Sequence, residues 1–557
     1  MRKQTKLVAV LSASALLAIG ASMTSFAASP WVEENGTWVY YEKNGEKATE
    51  VWRKSGDKWY WLDESGEMAM DTLVENDNNY YYVDENGAMV TNRWVALPNE
   101  DYDGDDTDEP MNWWYYFGAN GKAYKTNNSN TVASFKTING RKYIFDDEGK
   151  MLYGWIDAAG ERQTGDEAWQ NGVYYCGDEN DGAQKAGQWM YLDIIDTGFE
   201  TKGSNMSSEF TFDDEYQTRW FWFLTNGRKV VGKDGYNING KKYSFDQYGR
   251  MNAEWVAPKQ TPNAANQTTA NGTYTEQFRY YGSPEDGARQ TKGFFKVVPD
   301  YYLDTKDFND DQERTYYADR NGNLVASKIE TISGKKYAFN SYGEMQTGLK
   351  AIQRNGNTIT GLLSGDNTTV APFDTFDYFK SNINTLQNST NNYRMYFFGS
   401  DGVMRTGKQT VTIDGENYTF LFNKSGSEKG AGKNGVDNYK YYVGGMLLAA
   451  ERSDKYAVVK IDESGAVPTY HLLTTDDFLA ENNSAVTFTP GVPSNKNADK
   501  YDEYTQVAVE ETVSKISYRL VNTAGTTQKS KSKAKDGDGR CFDVNSNGKI
   551  TAVYVES

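Results

Sequence analysis

A short aromatic unit recurs near the start of the chain: Trp38-Val39-Tyr40-Tyr41-Glu42-Lys43-Asn44-Gly45, then Trp59-Tyr60-Trp61-Leu62-Asp63-Glu64-Ser65-Gly66, then Tyr80-Tyr81-Tyr82-Val83-Asp84-Glu85-Asn86-Gly87. Repetition at this scale limits the fold more than composition does, because each unit must bury its apolar face against a neighbouring copy. Consecutive aromatics alternate across the two faces of a strand, and Asn-Gly or Ser-Gly supplies the positive φ angles of a tight turn. A return strand carrying Met or Ala follows, as in Glu67-Met68-Ala69-Met70 and Ala88-Met89-Val90. One hairpin alone is marginal in water, so neighbours must stack. The expectation is an all-β chain, an elongated solenoid of stacked β-hairpin repeats with inserted polar loops.

A second hairpin type has fixed internal spacing. Ile138 to Met151, Ile238 to Met251 and Ile332 to Met345 each place Gly, Tyr, Phe, Gly and Met at the same offsets, beginning with Gly140, Gly240 and Gly334. A looser copy begins at Ile413, with Gly415, Tyr418 and Phe420, so the four starts fall 100, 94 and 81 residues apart. An aromatic hairpin precedes each: Trp114-Tyr115-Tyr116-Phe117, Trp220-Phe221-Trp222-Phe223, Tyr316-Tyr317 and Tyr396-Phe397-Phe398. The stretches Asn99 to Glu109, Asp157 to Gln170, Pro258 to Asn271 and Gln353 to Thr390 absorb the length variation and read as polar loops. From about Lys455 the pattern weakens, although Tyr518-Arg519-Leu520-Val521 with Gly525 and Cys541-Phe542-Asp543 with Asn547-Gly548 still read as degenerate hairpins of a terminal cap. Four segments result: 1–27, 28–96 with the most regular repeats, 97–454 with longer paired-hairpin repeats, and the degenerate 455–557.

The first segment reads as a secretory signal peptide: Arg2, Lys3 and Lys6, an apolar run from Leu7 to about Ile19, and Ser25-Phe26-Ala27 before the expected cut. That run is too short to span a bilayer, and no transmembrane segment is expected elsewhere. Losing the three cations moves the net charge from -18 to -21, a field that repels nucleic acid and acidic polymers on average. Any anionic polymer must then be gripped by local aromatic or cationic groups. The 41 Tyr, 25 Phe and 14 Trp, with a mean hydropathy of -0.76, leave aromatics to supply most of the burial. Cys176 and Cys541 are expected as two small buried side chains.

Signals for catalysis are weak. His471 is the only histidine and sits in a strand-like context, Thr469-Tyr470-His471-Leu472-Leu473, which leaves nothing to build a nucleophile-base pair around. The stretches between repeats are too short for an ordinary catalytic domain. The acidic run Asp101-Tyr102-Asp103-Gly104-Asp105-Asp106 reads as a solvated loop. Asp543, Asn545, Asn547 and Gly548 open like a calcium loop, but Tyr554 stands where an acidic ligand is needed, so they read as a repeat turn. Neither a metal nor a cofactor is expected.

A Trp-Tyr-Tyr strand, an Asn-Gly turn, a Met-bearing return and a Trp leading into the next unit resemble the choline-binding or cell-wall-binding repeats of Gram-positive surface proteins, to which glucan-binding repeats are related. The resemblance covers nearly all of the chain after the signal and is strongest from Trp31 to Val95. It implies choline boxed between consecutive hairpins by aromatic faces, held by cation-π attraction that needs no countercharge. By position, the box would use Trp52 as the opening Trp, Trp59 on the strand of the same unit and Tyr82 from the next hairpin, lined by Met68 or Met89; a second would use Trp94 and Trp114. The opening Trp follows Gly only at Gly154-Trp155, and Leu73 stands where another is expected. The expected function is non-catalytic attachment of a secreted protein to the cell wall or surface, through choline-bearing teichoic acid or another wall glycan. The alternatives are capture of a neutral glucan or host glycan, and a passive surface spacer.

Overall fold

In the computed structural model, which describes residues 30–557 except 103, 105–107, 127–130, 199–211, 213, 258–271, 364–372 and 389, the first repeats form a series of two-stranded antiparallel sheets. β1 (Trp31–Glu34) pairs with β2 (Thr37–Tyr40), β3 (Val51–Ser55) with β4 (Lys58–Leu62), β5 (Thr72–Asn76) with β6 (Asn79–Val83), and β7 (Arg93–Pro98) with β8 (Asn112–Phe117). The expected signal segment, most of the acidic run after Asp101, and the expected Pro258–Asn271 loop lie outside the described residues. No helix among the described residues is long and apolar enough to cross a membrane.

The pairing differs from the sequence expectation in one respect. Each aromatic strand makes its ladder with the strand before it, Trp52 opposite Trp61 and Lys54 opposite Trp59, while the Met-bearing return adds only a single bridge, Leu62 to Met68 or Val83 to Met89. The turn explains why. Asp63 Oδ1 accepts from the backbone N–H groups of Ser65 and Glu67, both at 2.9 Å, and Asp84 Oδ1 does the same for Asn86 and Ala88. A carboxylate heading the turn satisfies two donors at once and bends the chain sharply. The returning backbone then bonds to the previous hairpin instead: Met68 N–H donates to the Trp38 carbonyl, Met89 to Trp59, and Met151 to Trp114, at 2.7 to 2.8 Å. Near the C terminus Asn545 heads such a turn, accepting from Asn547 and Lys549, so the calcium-like motif is a repeat turn.

One rule describes how neighbours pack. An aromatic on the first strand of a hairpin meets its cross-strand partner and an aromatic of the next hairpin. Trp31 meets Tyr40 and Tyr60, Trp94 meets Tyr116 and Tyr143, and Phe294 meets Tyr317 and Tyr337, with centroids 4.9 to 5.6 Å apart and rings mostly edge to face. These are favoured aromatic geometries and supply the core where aliphatics are scarce.

Two compact units divide the described chain. One holds residues up to 251 apart from 212 and 237–243, and the other holds those together with everything from 252. Of the 14 Trp only Trp255 falls in the second unit, where Phe and Tyr carry the packing. Larger sheets also appear there, including five-stranded ones ordered through Lys328–Ile332 and Gly407–Ile413. The Gln353–Thr390 stretch is more than a polar loop: it continues a strand pair and forms the helices Phe376–Ser381 and Ile383–Gln387, whose Phe379 and Leu386 enter the core beside Phe420. In the last segment Ile516–Asn522 takes its ladder from Tyr456–Asp462, and after the turn at Asn522–Gly525 the return adds a single bridge, Val521 to Thr527, as in the repeats. Cys176 and Cys541 are free and buried, and burial pushes the Cys176 thiol up to about 12.

Candidate ligand-binding site

Between the β3–β4 and β5–β6 hairpins lies a cleft of about 820 Å³ whose apolar walls are Trp52, Trp59, Tyr81 and Met89. The β3–β4 ladder places Trp52 and Trp61 opposite each other and Trp59 two residues away on the same face, so all three project toward the next hairpin. Trp52 lies 5.3 Å from Trp61 and 5.1 Å from Tyr81, both tilted by 58°, and these contacts hold its ring. Its Nε1 is buried without a hydrogen-bond partner. Trp59 is 41% exposed, unusual for so large an apolar surface, and forms the open side of the cleft. The bond from Met89 N–H to the Trp59 carbonyl, 2.8 Å, fixes the methionine against that side. Asp57, Asp84, Lys58 and Arg93 contribute two charges of each sign to the rim.

The other expected residues fall elsewhere. Tyr82 faces the following interface, stacked 6.1 Å from Phe117 and donating its hydroxyl to Asp71, and its neighbour Tyr81 occupies the cleft in its place. Adjacent strand residues point to opposite faces, so a shift of one position changes the interface served. Met68 packs one interface earlier, with Trp31, Trp38 and Tyr60. Trp94 and Trp114 repeat the relation of Trp52 to Trp59, since Trp94 stands opposite Tyr116 and Ala96 opposite Trp114. There, however, Phe145 stacks on Trp94 at 5.8 Å, where the first site has only Val83, and packing fills the space.

Trp155, the one opening Trp preceded by Gly, meets a different occupant. Lys229 takes the place that Met89 and Met151 hold at other interfaces, bridging Phe223 as Met151 bridges Phe145. Its Nζ lies 4.9 Å from the Trp155 ring and 5.7 Å from Phe221, and donates to the Trp169 carbonyl. An ammonium of the chain itself occupies this aromatic site. Sequence reasoning missed it, though a Lys at the Met position of a repeat is a legible signal.

A turn glycine supports the open cleft. Gly121, at φ +78°, packs under Met89, and a Cβ there would stand 2.4 Å from Met89 Sδ. Gly121→Ala is expected to displace Met89 and weaken ligand binding at least several-fold while leaving the Trp52–Tyr81 contact in place. Titration beside wild type checks this; unchanged affinity would remove Met89 from the site.

Residues 48–94, which contain the cleft's four apolar walls, match the sequence profile of the choline-binding repeat. This segment is similar to a choline-binding repeat. The chain is also 26% identical over 297 residues to glucosyltransferase-S of Streptococcus mutans, a match spanning 52% of this chain and 16% of that protein. Among solved structures, choline-binding protein F of Streptococcus pneumoniae aligns at 17% identity over 75% of this chain and 97% of its own, with a TM-score of 0.29. The modular autolysin LytC of the same organism, in complex with a synthetic peptidoglycan ligand, aligns at 17% identity over 58% and 54%, with a TM-score of 0.30. Within the matched segment, the geometry itself singles out Trp52, Trp59, Tyr81 and Met89.

Proposed function

We propose that this chain is a non-catalytic, exported binding protein that attaches to choline-bearing polymers of the cell wall, with the cleft between the β3–β4 and β5–β6 hairpins as its principal site. One observation carries this reading: two tryptophans, a tyrosine and a methionine converge on a single open cleft inside the segment that matches a choline-binding repeat. A quaternary ammonium cannot donate a hydrogen bond and needs no carboxylate, so three aromatic faces and a polarisable thioether suit it. Each favourable ring contact contributes about 0.5 to 2 kcal/mol. Such a site also suits a chain of net charge -18, whose average field repels phosphate polymers.

Neutral α-glucan is the second reading, favoured by the exposed face of Trp59 and by the match to a glucosyltransferase. Titrating tryptophan fluorescence with choline and, in parallel, with a soluble α-glucan separates the two. Wild type is expected to give a saturable choline response that Trp52→Ala and Trp59→Ala weaken about tenfold or more, the loss of one to two ring contacts. A glucan response without a choline response would transfer the function to the second reading. Silence to both would overturn binding at this cleft.

A further inference from the structure

A second cleft in the first unit, of about 1040 Å³, is larger than the one beside Trp59 and is built from segments that the regular repeats lack. Its walls are the inserted stretch 162–169, the turn at 178–180 and the last three pairs of the ladder between Gln188–Ile195 and Tyr216–Phe223. Asp108, from the other inserted stretch, braces the first wall. Its carbonyl accepts from the Tyr153 hydroxyl at 2.8 Å and from Arg162 Nη2 at 2.6 Å, and its carboxylate accepts from the Gly165 N–H at 3.1 Å. The Arg162 guanidinium lies over the Tyr153 ring at 3.9 Å. Trp169 Nε1 donates to the Ile195 carbonyl at 2.9 Å, which ties the short helix Ala168–Asn171 to the end of the ladder. Walls fixed at several points stand ready before a ligand arrives, and this lowers the ordering cost of binding.

The lining limits what such a ligand can be. Trp155 and Trp169 are almost wholly buried, and each already meets a cation of the chain, Lys229 Nζ at 4.9 Å and the Arg250 guanidinium at 4.8 Å. The aromatic face on offer is instead Tyr216, which is 74% exposed. Five carboxylates line the cleft against one cation, Arg162, a balance that repels an anion. Asp178 uses Oδ1 to accept from the N–H groups of Asn180 and Asp181, and Asp193 uses Oδ1 to accept from the Thr218 hydroxyl, so each keeps its second oxygen. The Asp166 carboxylate is exposed and has neither a hydrogen bond nor an ion pair among the described residues. Ionised carboxylates only accept, so the ligand must bring several donors without negative charge, together with an apolar face for the tyrosine. The hydroxyls of a sugar meet the first need and its C–H faces the second.

We propose that this cleft binds a neutral oligosaccharide, whose hydroxyls donate to Asp166, Asp178 and Asp193 while one ring sits on Tyr216. Its volume, at the upper end of the range of about 300 to 1,000 Å³ for ligand clefts, leaves room for several sugar rings. A glucan and the N-acetylated strand of a wall polysaccharide share this chemistry. None of Trp52, Trp59, Tyr81 and Met89 takes part, so the site does not depend on what binds beside Trp59.

The full chain is titrated calorimetrically with isomaltohexaose and, separately, with the hexamer of N-acetylglucosamine, which distinguishes the two sources. At least one sugar is expected to bind saturably at one site per chain, with an affinity that about 0.5 M NaCl leaves unchanged because the ligand carries no charge. Tyr216→Ala and Asp166→Ala remove exposed side chains and are each expected to weaken that binding about tenfold, with the choline titration as in wild type. Absence of a response to either sugar would overturn the proposal. Sugar binding lost in Trp59→Ala but kept in Tyr216→Ala would put the sugar in the other cleft and overturn it equally. So would salt-sensitive binding of an oligolysine with none of either sugar, which would make this a site for a cationic peptide.

Discussion

Lys229→Met is expected to stabilise the first unit by about 3 kcal/mol at pH 7, an unusual direction for a substitution in a core. Burial holds the Lys229 ammonium down from 10.5 to about 7, with Asp246 partly opposing the shift. Between those two values the unfolded chain binds a proton that the folded chain does not, so stability rises with pH across the window. At pH 7 and below, the penalty for burying the cation is present nearly in full, at about 1.4 kcal/mol per pH unit of the shift. Part of it is offset by the bond to the Trp169 carbonyl and by the Trp155 and Phe221 faces, contributions the variant loses. Methionine should fit, because Met89 and Met151 fill the matching position at other interfaces over turn glycines, as Lys229 lies over Gly249. Denaturation followed by tryptophan fluorescence reads this unit, which holds every Trp but Trp255. Wild type should gain about 2 kcal/mol from pH 7 to pH 9, and the variant little. A variant less stable than wild type at pH 7, or one with the same pH slope, would show that the ammonium is well accommodated.

Phe420→Ala should cost the second unit about 4 kcal/mol, near the upper end for removing a buried ring. Phe420 is fully buried, stacked 5.9 Å from Phe422 and edge-on to Phe379 at 6.0 Å, within the largest apolar cluster. Its backbone is held by strands on both sides, Gln409 across one ladder and Met446 across a bridge, so the cavity cannot easily collapse. Phe379 sits on the Phe376–Ser381 helix of the inserted segment and loses its platform. Faster limited proteolysis within 373–388 should accompany a lowered calorimetric transition. A loss under about 1 kcal/mol, or an insertion cut no faster than in wild type, would mean that the helices are held by other contacts.

The repeats were legible because their signals are local. Alternating aromatics with turn residues specify a strand and a sharp bend within about ten residues, and a chain with so few aliphatics has little other way to make a core. The ladder partner was harder to read. Whether Trp59–Leu62 pairs forward with Met68 or backward with Val51–Ser55 depends on where backbone donors are satisfied, and the Asp63 turn consumes two of them. The inserted segments were read as polar from their composition, yet Phe379 and Leu386 on two short helices, and Phe373 just before them, are all buried.

Sequence alone determined the all-β hairpin architecture, the likeness of 48–94 to a choline-binding repeat, and the pairing of Trp52 with Trp59 on one hairpin, since each follows from residue type and short-range spacing. Tertiary structure decided that Tyr81 and not Tyr82 enters the cleft, because strand side chains alternate by face and only the register between hairpins sets the phase. It also decided what packs against the other opening tryptophans. Phe145 stacks on Trp94 and Lys229 lies over the Trp155 ring, and Asp304, Asp307 and Glu344 meet across 40 residues of chain, contacts between distant segments that no local pattern encodes.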